Sequence, residues 1–413
     1  MSPTNQPFAY DPFSPEAMRD PQRFYPTLRE EHPAYFLPQY DTYVFSRYAD
    51  VWEGFLDAEH FSEAEGQLFA REQLLTHRRG DPPKPKLDPV DMFNFVDPPV
   101  LTRFRRTMNP PFAKPNVARL ADQITAMVRA RLAELAPRGR FDLNGDFASF
   151  ISVAATSMIL GLPLGETDRM VSLANRLTAR DPDKPGRTAD GAAAREELYA
   201  LLSDVAAMRR AGRGLESTFI DALIAAEDIV GHPLSDMEIA AQLVAILVGG
   251  VETVPKIIAG GTHELARRPD QLAAVRADPA ANAAPAFEEM LRYNAPAQWF
   301  GRTVKKRREL GGVTLEPGQR VILLIAAANR DPREFEDPDA FVWNRRHRRM
   351  LSFGVGPHFC IGVHLARLEG QIMLRELVSA IPRFAVEPEN GAWAVSEFQV
   401  GWTRLPLRVE TGA

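Results

Sequence analysis

The stretch FGVGPHFCIGVHLARLEG, Phe353 to Gly370, holds Cys360, the only cysteine among 413 residues. It places one thiol between a glycine-rich turn and the start of a predicted helix that carries Leu365, Leu368 and Ile372 on one side. Two readings are open. A lone cysteine serves most often as a small buried hydrophobe. A thiol near a helix N-terminus is instead favoured as thiolate, which can act as nucleophile or metal ligand.

The rest of the chain narrows the choice. With 45% hydrophobic and 25% charged residues it has the composition of a soluble globular protein. A single cysteine excludes an internal disulfide and fits a reducing compartment. The net charge of −5 gives no overall attraction to nucleic acid, so a basic docking face must be local. MSPTNQPFAYDPFSPEAM lacks the basic and apolar blocks of a signal peptide, and the apolar run Ile239–Val251 is shorter than the roughly 20 residues that span a bilayer. The expectation is a cytoplasmic, unanchored monomer.

The patterning predicts a mainly α protein with a smaller β portion, forming one domain over residues 1–413, with β-rich parts near 38–60, 310–326 and 384–413. Helical periodicity dominates from Pro98 to about Leu272. Residues 65–95, with four prolines among mixed charges, read as a long irregular loop, and such loops are more often functional than accidental. ARDPDKPGRTADG, 179–191, reads as an exposed mobile loop.

Three further patterns carry chemistry. SDMEIAAQLVAILVGGVETVPKII opens on a capping-box spacing, Ser235 with Glu238, and is apolar on nearly every face. Pro255 offers no N–H to the carbonyl of Val251 and predicts a kink beside Gly249, Gly250, Glu252 and Thr253. That kink is either a packing device or an opening in which a carboxylate, a hydroxyl and water relay protons. Glu289 and Arg292 share one helix face, a spacing that usually marks a weak surface salt bridge. Arg345, Arg346, His347, Arg348 and Arg349 form a basic run that is either a solvated face or a dock for an acidic partner.

Taken in order, these signals resemble the cytochrome P450 family. FGVGPHFCIG matches its haem-ligand pattern F-G-x-G-x-[HR]-x-C-x-G, Glu289 and Arg292 its E-x-x-R pair with Arg345 as third member, and GGVET its [AG]-G-x-[DE]-T motif. DPPVLTRFRR from Asp97 and AANRDP from Ala327 extend the likeness along the chain, and the absence of an anchor resembles the soluble bacterial members. The resemblance implies the P450 fold, a triangular helix-rich body with haem b between the long central helix and the Cys-loop. It makes Cys360 the axial thiolate ligand of iron, flanked by Phe353, Gly354, Gly362 and, from the central helix, Gly249. Chemistry alone offers His358 as a rival ligand, but the family pattern turns that position toward a haem propionate, alongside Arg105 and Arg302. Leu101 and Met350 stand where the family often has histidine, leaving Arg103 or Arg349 to supply those contacts.

The implied activity is a monooxygenase that hydroxylates a small apolar organic substrate with O2. Thr253 and Glu252 are the implied catalytic proton relay. Electrons would come from NAD(P)H through a ferredoxin reductase and a ferredoxin docked on Arg345–Arg349, Arg103 and Arg106; one cysteine cannot hold an iron–sulfur cluster. Phe95, Ile246, Ala297, Phe300, Phe398 and Gln399 are the expected substrate contacts, with Phe93 and Trp299 as further candidate rings and Gln298 as a candidate polar contact. Their character points to a terpenoid, steroid or aromatic molecule, although core packing is an equal fate for any one ring. The alternatives are a peroxide-driven peroxygenase and a non-catalytic haem binding or sensor protein.

Overall fold

Apolar residues at three- and four-residue steps build the helices, and short alternating runs build the sheets. The computed structural model describes residues 8–76, 79–81, 92–181 and 184–410. The helices that position the site are α1 (Val100–Phe112), α2 (Ser149–Leu160), α3 (Thr167–Thr178), α4 (Ala189–Arg210), α5 (Asp236–Val251), α6 (Val254–Ala266), α7 (Pro279–Tyr293) and α8 (Val363–Ala380). They share an apolar core that includes Phe104, Phe147, Leu243, Phe287 and Leu374.

The main sheet uses β1 (Ala34–Leu37), β2 (Thr42–Phe45), β3 (Phe61–Ser62), β4 (Phe300–Val304) and β5 (Arg320–Leu323), in the order β1-β2-β5-β4-β3. Only β2 and β5 run parallel, with Thr42 opposite Arg320. Val321 and Leu323 point into one apolar cluster with Phe45 and Phe55, and Ile322 into another with Tyr25 and Trp299. Alternation therefore buries both faces of this strand.

Three differences from the sequence reading have physical causes. Helix continues to Tyr293 but is interrupted by the strand Arg140–Asp142, which pairs with Pro406–Val409 beside Phe384–Val386. Three residues are too few to show a period of two inside a helical region, and the C-terminal strand needed an edge partner. Within 179–191, Arg180–Asp181 pairs antiparallel with Lys184–Arg187, so this stretch is a small hairpin and not an irregular loop; residues 182 and 183 lie outside the described residues. Residues 65–95 contain the helix Arg71–Thr76 and a turn at Phe93–Phe95, while 77–78 and 82–91 lie outside the described residues.

The long apolar helix is broken outright where a kink was expected. Ser235 and Glu238 form the predicted capping box at the start of α5, which ends at Val251. Helix α6 begins at Val254 and places Pro255 in its first turn, where a missing N–H is tolerated. The stretches Leu143–Leu160 and Asp236–Ala266 are long and apolar enough to cross a membrane, yet 78% and 72% of their apolar windows are buried inside the protein. They are core elements of this fold.

Candidate active site

The loop before α8 is shaped by its glycines. Gly354 (φ 64°) and Gly356 (φ 81°) both adopt left-handed backbone, and a Cβ on Gly356 would lie 2.6 Å from the carbonyl oxygen of Phe55. The Cys360 amide donates to the carbonyl of Phe353 at 3.0 Å, closing the loop. Cys360 as a residue is partly exposed and stands three residues ahead of α8. Its surroundings act on the thiol in opposite senses. Burial pushes the Cys360 thiol up, while the Gly362 amide and the charges of Arg105 and Arg367 oppose that rise without cancelling it. A coordinating metal deprotonates such a thiol outright.

The break between α5 and α6 presents the second half of the site. Gly249 is exposed although its helix lies in the core, and a Cβ there would meet nothing within 4 Å. A Cβ on neighbouring Gly250 would come 2.9 Å from Thr156 Oγ1, so one glycine lets α2 approach and the other faces open space. Thr253 Oγ1 donates to the carbonyl of Gly249 at 2.7 Å, leaving its oxygen lone pairs as acceptors.

Glu252 is buried, and two of its partners, Lys256 and Thr178, are ones sequence reasoning missed. Lys256 Nζ lies 2.6 Å from Glu252 Oε2 and 3.1 Å from the Glu252 carbonyl, and both side chains are under a tenth exposed. Thr178, at the end of α3, donates its hydroxyl to Glu252 Oε1, and the Gln399 side chain adds a further hydrogen bond. Burial works to raise the Glu252 carboxyl, but the Lys256 charge and hydrogen bond, with those of Thr178 and Gln399, hold it below the usual carboxylate range. The four-residue spacing of Glu252 and Lys256 was the available signal.

The expected propionate partners occupy unlike surroundings. Arg105 donates to the Phe359 carbonyl at 2.6 Å, while its buried Nε has no partner among the described residues. Arg302 is buried in an ion pair with Glu63, and His358 Nδ1 lies 2.9 Å from the other Glu63 oxygen. Desolvation lowers the pKa of both arginines; the Cys360 and Glu63 charges oppose this at Arg105, as Glu63 and Asp97 do at Arg302. Arg103 Nε is spent on the Ile229 carbonyl, and Arg349 on Glu334 and the faces of Tyr48 and Trp52.

Glu289 and Arg292 are not a surface pair. Both side chains are fully buried and joined by two bonds of 2.8 Å, with Arg345 Nε at 3.2 Å from Glu289 Oε1. Arg292 also donates to the carbonyls of Asn329, Pro338 and Ala340, so the triad pins the segment leading to the Cys-loop. Arg345 thus leaves the proposed docking run, and Arg349 is paired. Arg346 and Arg348 remain exposed without an ion pair among the described residues, as does Arg106.

Among the expected substrate contacts, Phe300 and Phe398 meet with ring centroids 5.6 Å apart, Ala297 bridges Gln399, and all four are partly exposed, as is Phe95. Ile246 on α5 is 7% exposed and lies in the same apolar core cluster as Phe93. Three other candidates belong to the core. Trp299 is fully buried and donates Nε1 to the Glu397 carbonyl at 2.6 Å; Phe93 is 7% exposed. Gln298 accepts from the Tyr25 hydroxyl at 2.8 Å and donates to the Ser396 and Gln399 carbonyls, which leaves nothing to orient a ligand.

The sequence profile of the cytochrome P450 family matches residues 284–410. The vitamin D(3) 25-hydroxylase of Pseudonocardia autotrophica is 31% identical over 403 residues, covering 96% of each chain. This chain belongs to the cytochrome P450 family. Cytochrome P450 107B1 of Saccharopolyspora erythraea is 33% identical over 374 residues, or 89% of each chain. The solved structure of a P450 EryK mutant with erythromycin B superposes with a TM-score of 0.80 at 27% identity, covering 94% of this chain and 96% of that one. The protein is a P450 monooxygenase, and members of the family bind haem b. Its residues fit that group: a lone thiol on a glycine loop, an exposed glycine facing open space within a core helix, and an arginine whose buried Nε lacks a partner among the described residues.

Proposed function

We propose that this P450 hydroxylates a small apolar organic molecule with O2, using electrons from NAD(P)H delivered by a ferredoxin reductase and a ferredoxin in the cytoplasm. The observation that carries the reading is the broken helix, where Thr253 Oγ1 is held on the Gly249 carbonyl beside an ionised, buried Glu252. Haem held by Cys360 supplies thiolate-supported cleavage of the O–O bond. The chain's own residues supply position and protons. Arg105 and Arg302 would hold the haem carboxylates, with His358 beside them. Thr253 accepts and passes a hydrogen bond at Oγ1. Glu252, ionised at neutral pH, carries a proton only after receiving one, so it relays protons and does not store them. Phe95, Ile246, Ala297, Phe300 and Phe398 exclude water around the substrate. Gln399 links that wall to the relay through its hydrogen bond to Glu252.

Thr253→Ala tests this reading. With a turned-over substrate and a ferredoxin system, the variant is expected to consume NAD(P)H at a comparable rate while yielding several-fold less product and more hydrogen peroxide. Wild-type coupling in the variant, or peroxide-driven turnover exceeding the ferredoxin-driven rate in the wild type, contradicts it.

A further inference from the structure

Two groups assigned above to the haem carboxylates are already engaged by a carboxylate of the chain itself. Glu63, just after β3, is 3% exposed. Its Oε1 pairs with Arg302 Nη2, and its Oε2 lies 2.9 Å from His358 Nδ1 and accepts from Gln67 Nε2. Gln67 Nε2 is also 3.3 Å from His358 Nδ1, and Arg302 lies over the Phe55 ring at 4.8 Å. Residues from three distant parts of the chain thus form one desolvated cluster.

Charge counting gives the cluster its meaning. Arg105 and Arg302 would balance two propionates. Glu63 adds one further negative charge to the haem edge, whatever the charge of His358, in a site where screening is weak. Added negative charge stabilises ferric over ferrous iron. Before haem enters, the same carboxylate keeps the buried Arg302 guanidinium from being an unpaired charge, a costly condition.

We propose that Glu63 is a positioning residue for the cofactor, holding Arg302 and His358 in place and setting the haem at a lower reduction potential than the two arginines alone would give. This rests on Arg302 and His358 facing the propionates, and the test separates the two ideas.

The midpoint potential of the holoprotein is measured by redox titration in the wild type, Glu63→Gln and Glu63→Ser, the serine variant serving if glutamine fails to fold. Both substitutions are expected to move the potential positive, by on the order of tenfold in the ferric/ferrous equilibrium, or about 59 mV for one electron. A purely structural Glu63 would lower thermal stability and leave the potential in place, and an unchanged potential overturns the inference. Haem loss from Arg302→Gln to excess apomyoglobin is followed in parallel. Faster loss supports the propionate assignment; a wild-type rate removes that assignment, and the inference with it. Faster loss in Arg302→Gln together with wild-type potential in both Glu63 variants overturns the role of Glu63 alone.

Discussion

Lys256 shows what a single side chain contributes at this site. A carboxylate buried without a counter-charge is held neutral, whereas one facing an ammonium 2.6 Å away stays ionised. Lys256→Met therefore leaves burial to raise the Glu252 carboxyl against the Thr178 and Gln399 hydrogen bonds alone. The acidic limb of the pH–turnover profile, measured with excess electron donor, is expected to move up by about one unit or more. A limb at the wild-type position contradicts the assignment of Lys256. Sequence legibility at this scale followed locality. Cys360, Thr253 and Glu252 stand out in the sequence because each sits in a short motif that resembles the family's pattern. Lys256 was readable in principle, four residues along a helix. Glu63 was not, because nothing in FSEAEGQ announces that residues 302 and 358 will meet it across the fold.

At the scale of elements, α8 carries the consequence of burying a carboxyl with one partner. Glu369 accepts from Ser152 Oγ on α2 at 3.0 Å, and its other oxygen has no partner among the described residues. Burial, only partly opposed by that hydrogen bond, pushes its pKa up from 4.5 to about 8. The folded state therefore holds a proton that the unfolded chain has released above about pH 5. By linkage, this contribution to stability is complete below the unfolded value and is lost as pH rises toward about 8. Glu369→Gln keeps the shape and removes the titration. Its urea-unfolding free energy is expected to decline less between about pH 5 and about pH 8 than that of the wild type; an identical decline contradicts the burial argument. Helix existence and the capping box at Ser235 were legible because periodicity and caps are local. The break at Glu252–Thr253 was legible only as a disturbance. Pro255 forbids one hydrogen bond, but whether a helix bends or restarts depends on neighbours such as Thr156 that only the tertiary structure supplies.

At the scale of the whole molecule, folding thins the run of cations at 345–349. Folding commits Arg345 to the buried triad and Arg349 to Glu334, so Arg346 and Arg348 are what an acidic donor can meet on this segment. Reversing both, Arg346→Glu with Arg348→Glu, is expected to slow ferredoxin-driven reduction by on the order of tenfold at low salt, with the difference shrinking at high salt. Equal rates in stopped-flow reduction would refute that docking segment. Fold class was legible from composition and periodicity, but which charges remain free was not, because each pairing joins distant residues. The account turns on one bond, from Cys360 to haem iron, and the ferrous carbonyl spectrum of the purified haem-loaded protein tests it most directly. A Soret band at the long-wavelength position of a thiolate-ligated centre is the predicted result; a band at the shorter wavelength of a nitrogen-ligated haem in freshly reduced, folded protein would contradict it.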